Sequence, residues 1–276
     1  MTLLPFKDIP QALLEEVGVG LQHYFVSILG LHIDDRDYPL RLIGSGTLVR
    51  IDMKYCVLTA AHVWQAAEEF PAIGLSLTSY EAWFQIHSDH IVARPVGSDF
   101  GAFGPDLALL ELPRISVGRI EAHKTFLDLV QQRQAFLTDP WELDWGIWAV
   151  TGMSAEESNI DTQPEQMSVM ANVHGRAFFS GVREKFKRGE WDYIDSSADL
   201  ALVGVPSTFG GVSGGGLWQV PLAQSKETNQ VIWPGRKRFQ GVAYWQTWPE
   251  DNHRLIRCHG PESIFQTAWE AWGLPG

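Results

Sequence analysis

Short apolar runs separated by turn residues recur along nearly the whole chain, and they restrict it to an all-β architecture more firmly than any other feature. Strand-length runs fall at 23–29 (HYFVSIL), 41–51 (RLIGSGTLVRI), 54–59 (KYCVLT), 82–87, 90–96 and 106–112 (DLALLEL). A second set falls at 145–151 (WGIWAVT), 167–174, 191–194, 199–205 (DLALVGV), 215–220 and 238–247 (RFQGVAYWQT). Runs of this length, bounded by turn residues, fit the strands of a sheet or barrel. The 26 glycines, 15 prolines and 12 tryptophans among 276 residues point the same way. Segment 118–136 is charged, carries Phe126, Leu127, Leu129 and Val130, and reads as a partly helical connection. A short helix is predicted over 9–20, ending at Gly18 or Gly20. The tail 261–272 opens on Pro261 and repeats Ile264, Phe265, Ala268, Trp269 and Trp272 at helical spacing, which predicts a closing helix with one face on the body. The expected order is a β half over 20–117, a connecting segment over 118–140, a second β half over 141–260 and a helix over 261–276.

With 45% hydrophobic and 20% charged residues the chain can bury a sizeable core. A net charge of −12 argues against nucleic acid or an anionic membrane as the main partner. No apolar stretch reaches the length of a membrane span. Lys7, Asp8, Glu15 and Glu16 interrupt the start of the chain, which lacks the layout of a secretory leader, so a cytoplasmic location is expected. The two cysteines, Cys56 and Cys258, form no C-x-x-C pair, so no zinc site is expected; a disulfide between them stays open. No cofactor or metal is implied.

Three segments carry chemistry. V-L-T-A-A-H-V at 57–63 runs from a strand into a small-residue turn ending at His62. G-P-D-L-A-L-L at 104–110 places Asp106 before an apolar strand. G-G-V-S-G-G-G at 210–216 centres Ser213 in a glycine-dense loop. A serine hydroxyl needs an imidazole to take its proton. That imidazole needs a carboxylate on Nδ1–H to fix its tautomer. The tetrahedral intermediate needs backbone N–H donors, and glycines let the backbone bring them close. Taken singly, His62 reads as structural, Asp106 as a turn residue and the glycine loop as a plain loop. Taken in order, they put the base and acid in the first β half and the nucleophile in the second.

In these motifs the chain resembles the trypsin-like (chymotrypsin-fold) serine protease family, as a divergent member of cytoplasmic bacterial type. T-A-A-H, D-L-A-L-L and G-x-S-G-G match that family's three active-site signatures in its order. G-S-G-T-L at 44–48 and G-V-A-Y-W at 241–245 fit as well, and the likeness spans roughly 20–272. The resemblance implies two six-stranded antiparallel β-barrels with the site between them and a C-terminal helix. It implies a serine endopeptidase with Ser213 as nucleophile, His62 as general base and acid, Asp106 as orienting carboxylate, and the Gly211 and Ser213 amides as oxyanion hole. Its partner is then a protein or peptide substrate; the acidic, cytoplasmic character of the chain and the lack of an N-terminal switch add a regulatory protein, in a defence or signalling assembly, as an expected partner.

Several positions depart from the family pattern. Val212 stands where activated secreted members have an Asp that pairs with a freshly cut N-terminus, so that activation route is excluded. This leaves an enzyme active as made or one switched by a partner. Val63 follows His62, so the family disulfide beside the histidine is missing. Ser207 matches the floor of the specificity pocket and gives no counter-charge for Lys or Arg. Tyr244, Trp245 and Gln246 match its wall, and Gln246 stands where the family often has Gly, which would narrow the pocket towards small or uncharged side chains. The second D-L-A-L, at 199–202, places Asp199 too near Ser213 in the same half, so it reads as a strand-start residue. His253 and His259 read as turn or cap residues, and Glu68 and Glu69 as a solvated face. Two other classes compete. G-x-S-x-G also occurs in α/β-hydrolases, which need a different residue order and alternating helices. A protease fold that has lost catalysis could serve as a peptide-binding module.

Overall fold

A computed structural model of the chain describes residues 9–32, 40–77, 83–97, 101–139, 146–163, 168–172, 175–202, 204–224 and 230–275. Parts of several expectations lie outside these residues: Lys7 and Asp8, position 82 of one run, positions 167, 173 and 174 of another, position 203 of a third, 140–145 at the boundary of the second half, and position 276 of the closing helix.

Helix α1 (Gln11–Gln22) turns Leu13, Leu14, Val17 and Leu21 to one side, the spacing of a helix with a single apolar face. That face joins a core shared by Val49, Ile51, Trp218 and Val220, which come from both halves of the chain. Strands β1 (Phe25–Leu31), β2 (Leu40–Ile51) and β3 (Lys54–Thr59) form an antiparallel run, followed by the short helix α2 (Ala61–Ala67). Strands β4 (Ala72–Ser76), β5 (Trp83–His87), β6 (Val92–Val96) and β7 (Leu107–Glu111) complete the first sheet in the order β5-β4-β1-β2-β3-β7-β6. Its two end strands, β5 and β6, are consecutive in the chain, with only a 3-10 turn over Ser88–His90 between them. The connecting segment holds two helices, α3 (Arg114–Glu121) and α4 (Leu129–Thr138), and between them the two-residue β8 (Leu127–Asp128), parallel to β2.

The second half is a closed six-stranded antiparallel barrel. Its strands are β9 (Ile147–Gly152), β12 (Arg176–Arg188), β13 (Trp191–Asp199), β14 (Gly216–Val220), β17 (Arg238–Gln246) and β18 (His253–His259), in the order β12-β13-β18-β17-β14-β9. Two short hairpins, β10 (Asn159–Gln163) with β11 (Ser168–Asn172) and β15 (Ala223–Gln224) with β16 (Val231–Ile232), lie off the barrel. The tail winds as a π-helix over Ser263–Ala268 into α5 (Trp269–Ala271), and buries Ile264, Phe265, Trp269 and Trp272 as the spacing predicts.

The molecule is thus mostly β, with one closed barrel and one sheet whose ends are left unjoined. Several strand assignments change: β4, β10, β18 and the two-residue β8, β15 and β16 fall outside the expected runs, as does β12. The long barrel strand β12 was not predicted, because its outer half exposes Arg183, Glu184, Lys185 and Arg188 and leaves few apolar residues to mark it. Among the described residues of the run 199–205, none after Asp199 is in a strand. Asp199 ends β13, and its carboxylate accepts from Ala201 N at 2.9 Å, so it holds a turn instead of opening a strand. Cys56 and Cys258 are buried free thiols. No helix among the described residues is long and apolar enough to cross a membrane.

Candidate active site

The strand β3 ends at Thr59, and Ala60 and Ala61, both buried, then turn the chain into α2. His62 sits in the first turn of α2. Ala60 has no side-chain oxygen to cap the helix. Asp106 does that work from across the sheet, its Oδ1 accepting from His62 N at 2.9 Å. Its other oxygen, Oδ2, accepts from His62 Nδ1 at 2.6 Å. That bond places the proton on Nδ1 and leaves Nε2 as a base. Asp106 is 1% exposed, while the His62 ring is about one-third exposed, so the carboxylate is hidden and the imidazole reaches solvent.

Asp106 is itself held by a residue from the second half. Its N–H donates to His259 Nε2 at 3.0 Å. The His259 ring is buried and stacks on Tyr244, with centroids 4.4 Å apart. Since Nε2 accepts, the proton lies on Nδ1, which has no partner among the described residues. Burial lowers the imidazole from its ordinary 6.5 to about 3 against the opposing pull of the Asp106 charge, so the ring is neutral. The loop before Asp106 is tied down from the barrel as well. Tyr244 Oη and Arg257 Nη1 both donate to Ala102 O at 2.9 Å, and Tyr193 Oη donates to Phe103 O at 2.9 Å. The cap role expected for His259 is therefore replaced by direct support of Asp106, which a neighbouring Gly-Pro pair gave no means of seeing.

Ser213 lies in the loop before β14. Ser45 of β2 binds this loop to the first half. Its N–H donates to Ser213 O at 2.8 Å, and its hydroxyl donates to Gly211 O at 2.7 Å while accepting from Met153 N at 3.0 Å. Thr59, three residues before His62, donates to Ser45 O at 2.7 Å. Gly44 marks how near the histidine and serine segments come. A Cβ there would lie 2.7 Å from Val63, the residue after His62, and 3.0 Å from Ser213 O. Gly214 has φ +90, and a Cβ on it would lie 2.0 Å from Ser45 O, so the loop needs glycine there for both backbone shape and space.

The peptide planes of the loop set the direction of its amides. Gly210 O accepts from Ala155 N at 2.7 Å, and Val212 O accepts from Gly215 N at 2.8 Å. In a trans peptide the N–H points opposite to the C=O. The N–H groups of Gly211 and Ser213 are therefore turned away from those contacts, and neither is engaged among the described residues. Val212 is buried in the barrel core against Gly152, so apolar packing fixes this loop. The Ser213 hydroxyl donates to Tyr244 O at 3.4 Å, a long bond.

A cavity of about 220 Å³ opens beside Ser213 and is lined by Phe209, Val212, Ala243, Ile256 and the expected wall residues Tyr244, Trp245 and Gln246. Ser207 is not in its lining. It is exposed, and its N–H and hydroxyl both donate to Glu156 Oε2, at 2.8 and 2.9 Å. Gln246 spans the cavity wall instead, accepting from Phe209 N at 2.8 Å and Arg254 Nη1 at 2.7 Å and donating to Thr208 Oγ1 at 3.2 Å. Glu68 and Glu69 are exposed, as is Asp199's neighbour Leu202. Among the described residues no group of three His, Cys, Asp or Glu is placed to hold a metal ion. No known family model matches the chain, and no curated protein is significantly similar to it.

Proposed function

We propose that the chain is a serine endopeptidase that works as the trypsin-like family does, with both halves serving as barrels. Residues 83–96 can be taken as one bent strand, broken at Ser88–His90, whose first part pairs with β4 and second part with β7. Counted so, the first sheet also has six members around its circuit.

The observation that carries the function is the buried Asp106 carboxylate on His62 Nδ1, with the Ser213 loop bound to the same half through Ser45. An extended peptide has an edge to pair with: β14 accompanies β17 only as far as Val242, so Tyr244–Gln246 run on beside Ser213 without a partner strand on that side. Ser213 Oγ attacks the scissile carbonyl as His62 Nε2 takes its proton. Asp106 holds the imidazole in register and stabilises the imidazolium. The Gly211 and Ser213 amides stabilise the oxyanion. His62 returns the proton to the leaving amine, and water completes hydrolysis of the acyl-enzyme. Because Val212 packs into the core, loop order needs no ion pair from a newly cut terminus.

The test is intact mass after fluorophosphonate treatment of the wild type and Ser213→Ala. One adduct on the wild type and none on the variant is the expected result. A second reading, a silent peptide-binding module, is favoured by the contact of the Ser213 hydroxyl with Tyr244 O. That reading requires no adduct on either protein, with peptide binding retained.

A further inference from the structure

Three arginines of the barrel, Arg238, Arg254 and Arg257, are each 8% exposed. Two of them carry a carboxylate: Arg257 pairs with Asp195 at 2.8 Å and Arg238 with Asp139 at 2.9 Å. Arg254 has no carboxylate within ion-pair distance among the described residues. Its Nη1 donates to the neutral Gln246 Oε1, and its buried Nε has no partner among those residues. The exposed Glu156 feels the Arg254 charge but makes no ion pair with it, and gives its Oε2 to Ser207 N, Ser207 Oγ and Thr208 N. A buried guanidinium with no carboxylate in contact and an unpartnered N–H is costly, and a protein retains one most readily where a ligand supplies the partner.

The position of Arg254 identifies that ligand. It faces Ala198 across β13 and shares a strand face with Ile256 and Cys258, which point into the barrel interior with Phe209, Val212 and Ala243. Ile256, Phe209, Val212 and Ala243 line the cavity beside Ser213, as does Gln246, which touches the guanidinium. The pocket therefore has apolar walls and a cation behind one polar side chain.

We propose that Arg254 makes this pocket selective for an acidic side chain, glutamate or aspartate, on the residue before the scissile bond. The cut itself rests on the peptidase reading; the pocket's charge preference does not. An entering carboxylate takes up the unused donor of Arg254 and leaves the Gln246 bonds to Thr208 and Phe209 in place. A basic residue meets like charge, and an apolar one leaves the Arg254 guanidinium without a carboxylate in contact. This replaces the preference for uncharged side chains that follows from assigning the floor to Ser207.

Two readouts keep the inference apart from the peptidase reading. Fluorophosphonate labelling reports on Ser213 whatever the pocket prefers. Calorimetric titration of peptide acids ending in Glu, Gln, Leu or Lys reports on the pocket whatever Ser213 does. A hydrogen bond to a charged partner exceeds a neutral one by enough to expect the Glu peptide to bind about tenfold tighter than the Gln peptide. Cleavage after Glu or Asp should exceed cleavage after Gln by a similar factor. Arg254→Gln should abolish the difference and Arg254→Lys should keep most of it. Equal binding of the Glu and Gln peptides to the wild type, or tighter binding of Leu or Lys, overturns the inference without any variant. Tighter binding of Glu with no labelling of Ser213 upholds it and overturns the peptidase reading.

Discussion

His259 should make the fold acid-sensitive over a defined range, because a neutral imidazole is built into the support of Asp106. Its pKa is about 3 in the folded chain and 6.5 when unfolded. Below pH 6.5 the unfolded chain takes up a proton that the folded chain refuses, so the contribution is intact above that value. It is lost as pH falls, at up to about 1.4 kcal/mol per pH unit, until pH approaches 3. Between pH 7.5 and 5.0 the loss comes to about 2 kcal/mol. This figure is insensitive to the folded value, since any pKa well below 5 leaves the folded ring uncharged at both conditions. The opposite sign is a real competitor. If the Asp106 carboxylate outweighed burial, His259 would protonate in place and acid would stabilise the fold.

His259→Gln isolates the effect. Its side-chain oxygen can take the N–H of Asp106 in place of Nε2, and it does not titrate. Urea midpoints and slopes for both proteins at pH 7.5 and 5.0 give two acid-induced losses, and their difference removes the other histidines and the carboxylates. The wild type should lose about 2 kcal/mol more than the variant. Equal losses would refute the reasoning, and a larger loss in the variant would show that the Asp106 charge wins.

Two further substitutions probe the serine loop. Gly214→Ala places a Cβ 2.0 Å from Ser45 O and 2.1 Å from Thr59 Oγ1 at φ +90, so it should cost more than about 3 kcal/mol and slow labelling of Ser213 at least tenfold; an unchanged urea midpoint would contradict the assigned loop shape. Ser45→Ala leaves Gly211 O and Met153 N without their partner, so thermal stability should fall by about 1–3 kcal/mol with slower labelling, measured by calorimetry and mass spectrometry; full retention of both would mean the bridge is dispensable.

What could be read from the sequence was local. T-A-A-H, D-L-A-L-L and G-V-S-G-G each span a few residues, and each lands on the strand end or loop that its small residues favour. The pairing of His62 with Asp106 follows from their order in one half. The closing helix was legible because its apolar residues repeat at helical spacing. β12 was not, because a strand with a solvated outer half loses the alternation that marks it. The second D-L-A-L failed for another reason: the Asp199 carboxylate captures Ala201 N and ends the strand, and the same four letters serve as a strand only where the flanking backbone has a sheet to join. The contacts of Arg254 and His259 were illegible because each is made only in the folded chain, with Gln246 on the adjacent strand and with Asp106 in the other half.

Asp106 shows how far the site depends on the union of the halves. It belongs to the first half and caps α2, yet its N–H is held by β18, and the loop leading to it is fixed by Tyr193, Tyr244 and Arg257 of the barrel. Ser213 is the mirror case: it belongs to the barrel, but its carbonyl and the carbonyl of Gly211 are held by Ser45 of β2. The backbone of Asp106 is thus held by the second half, and that of Ser213 by the first. Loosening their contact would displace Asp106 and Ser213 together. Acid acting at His259 should therefore reduce Ser213 labelling by wild type relative to His259→Gln, with the barrel still folded.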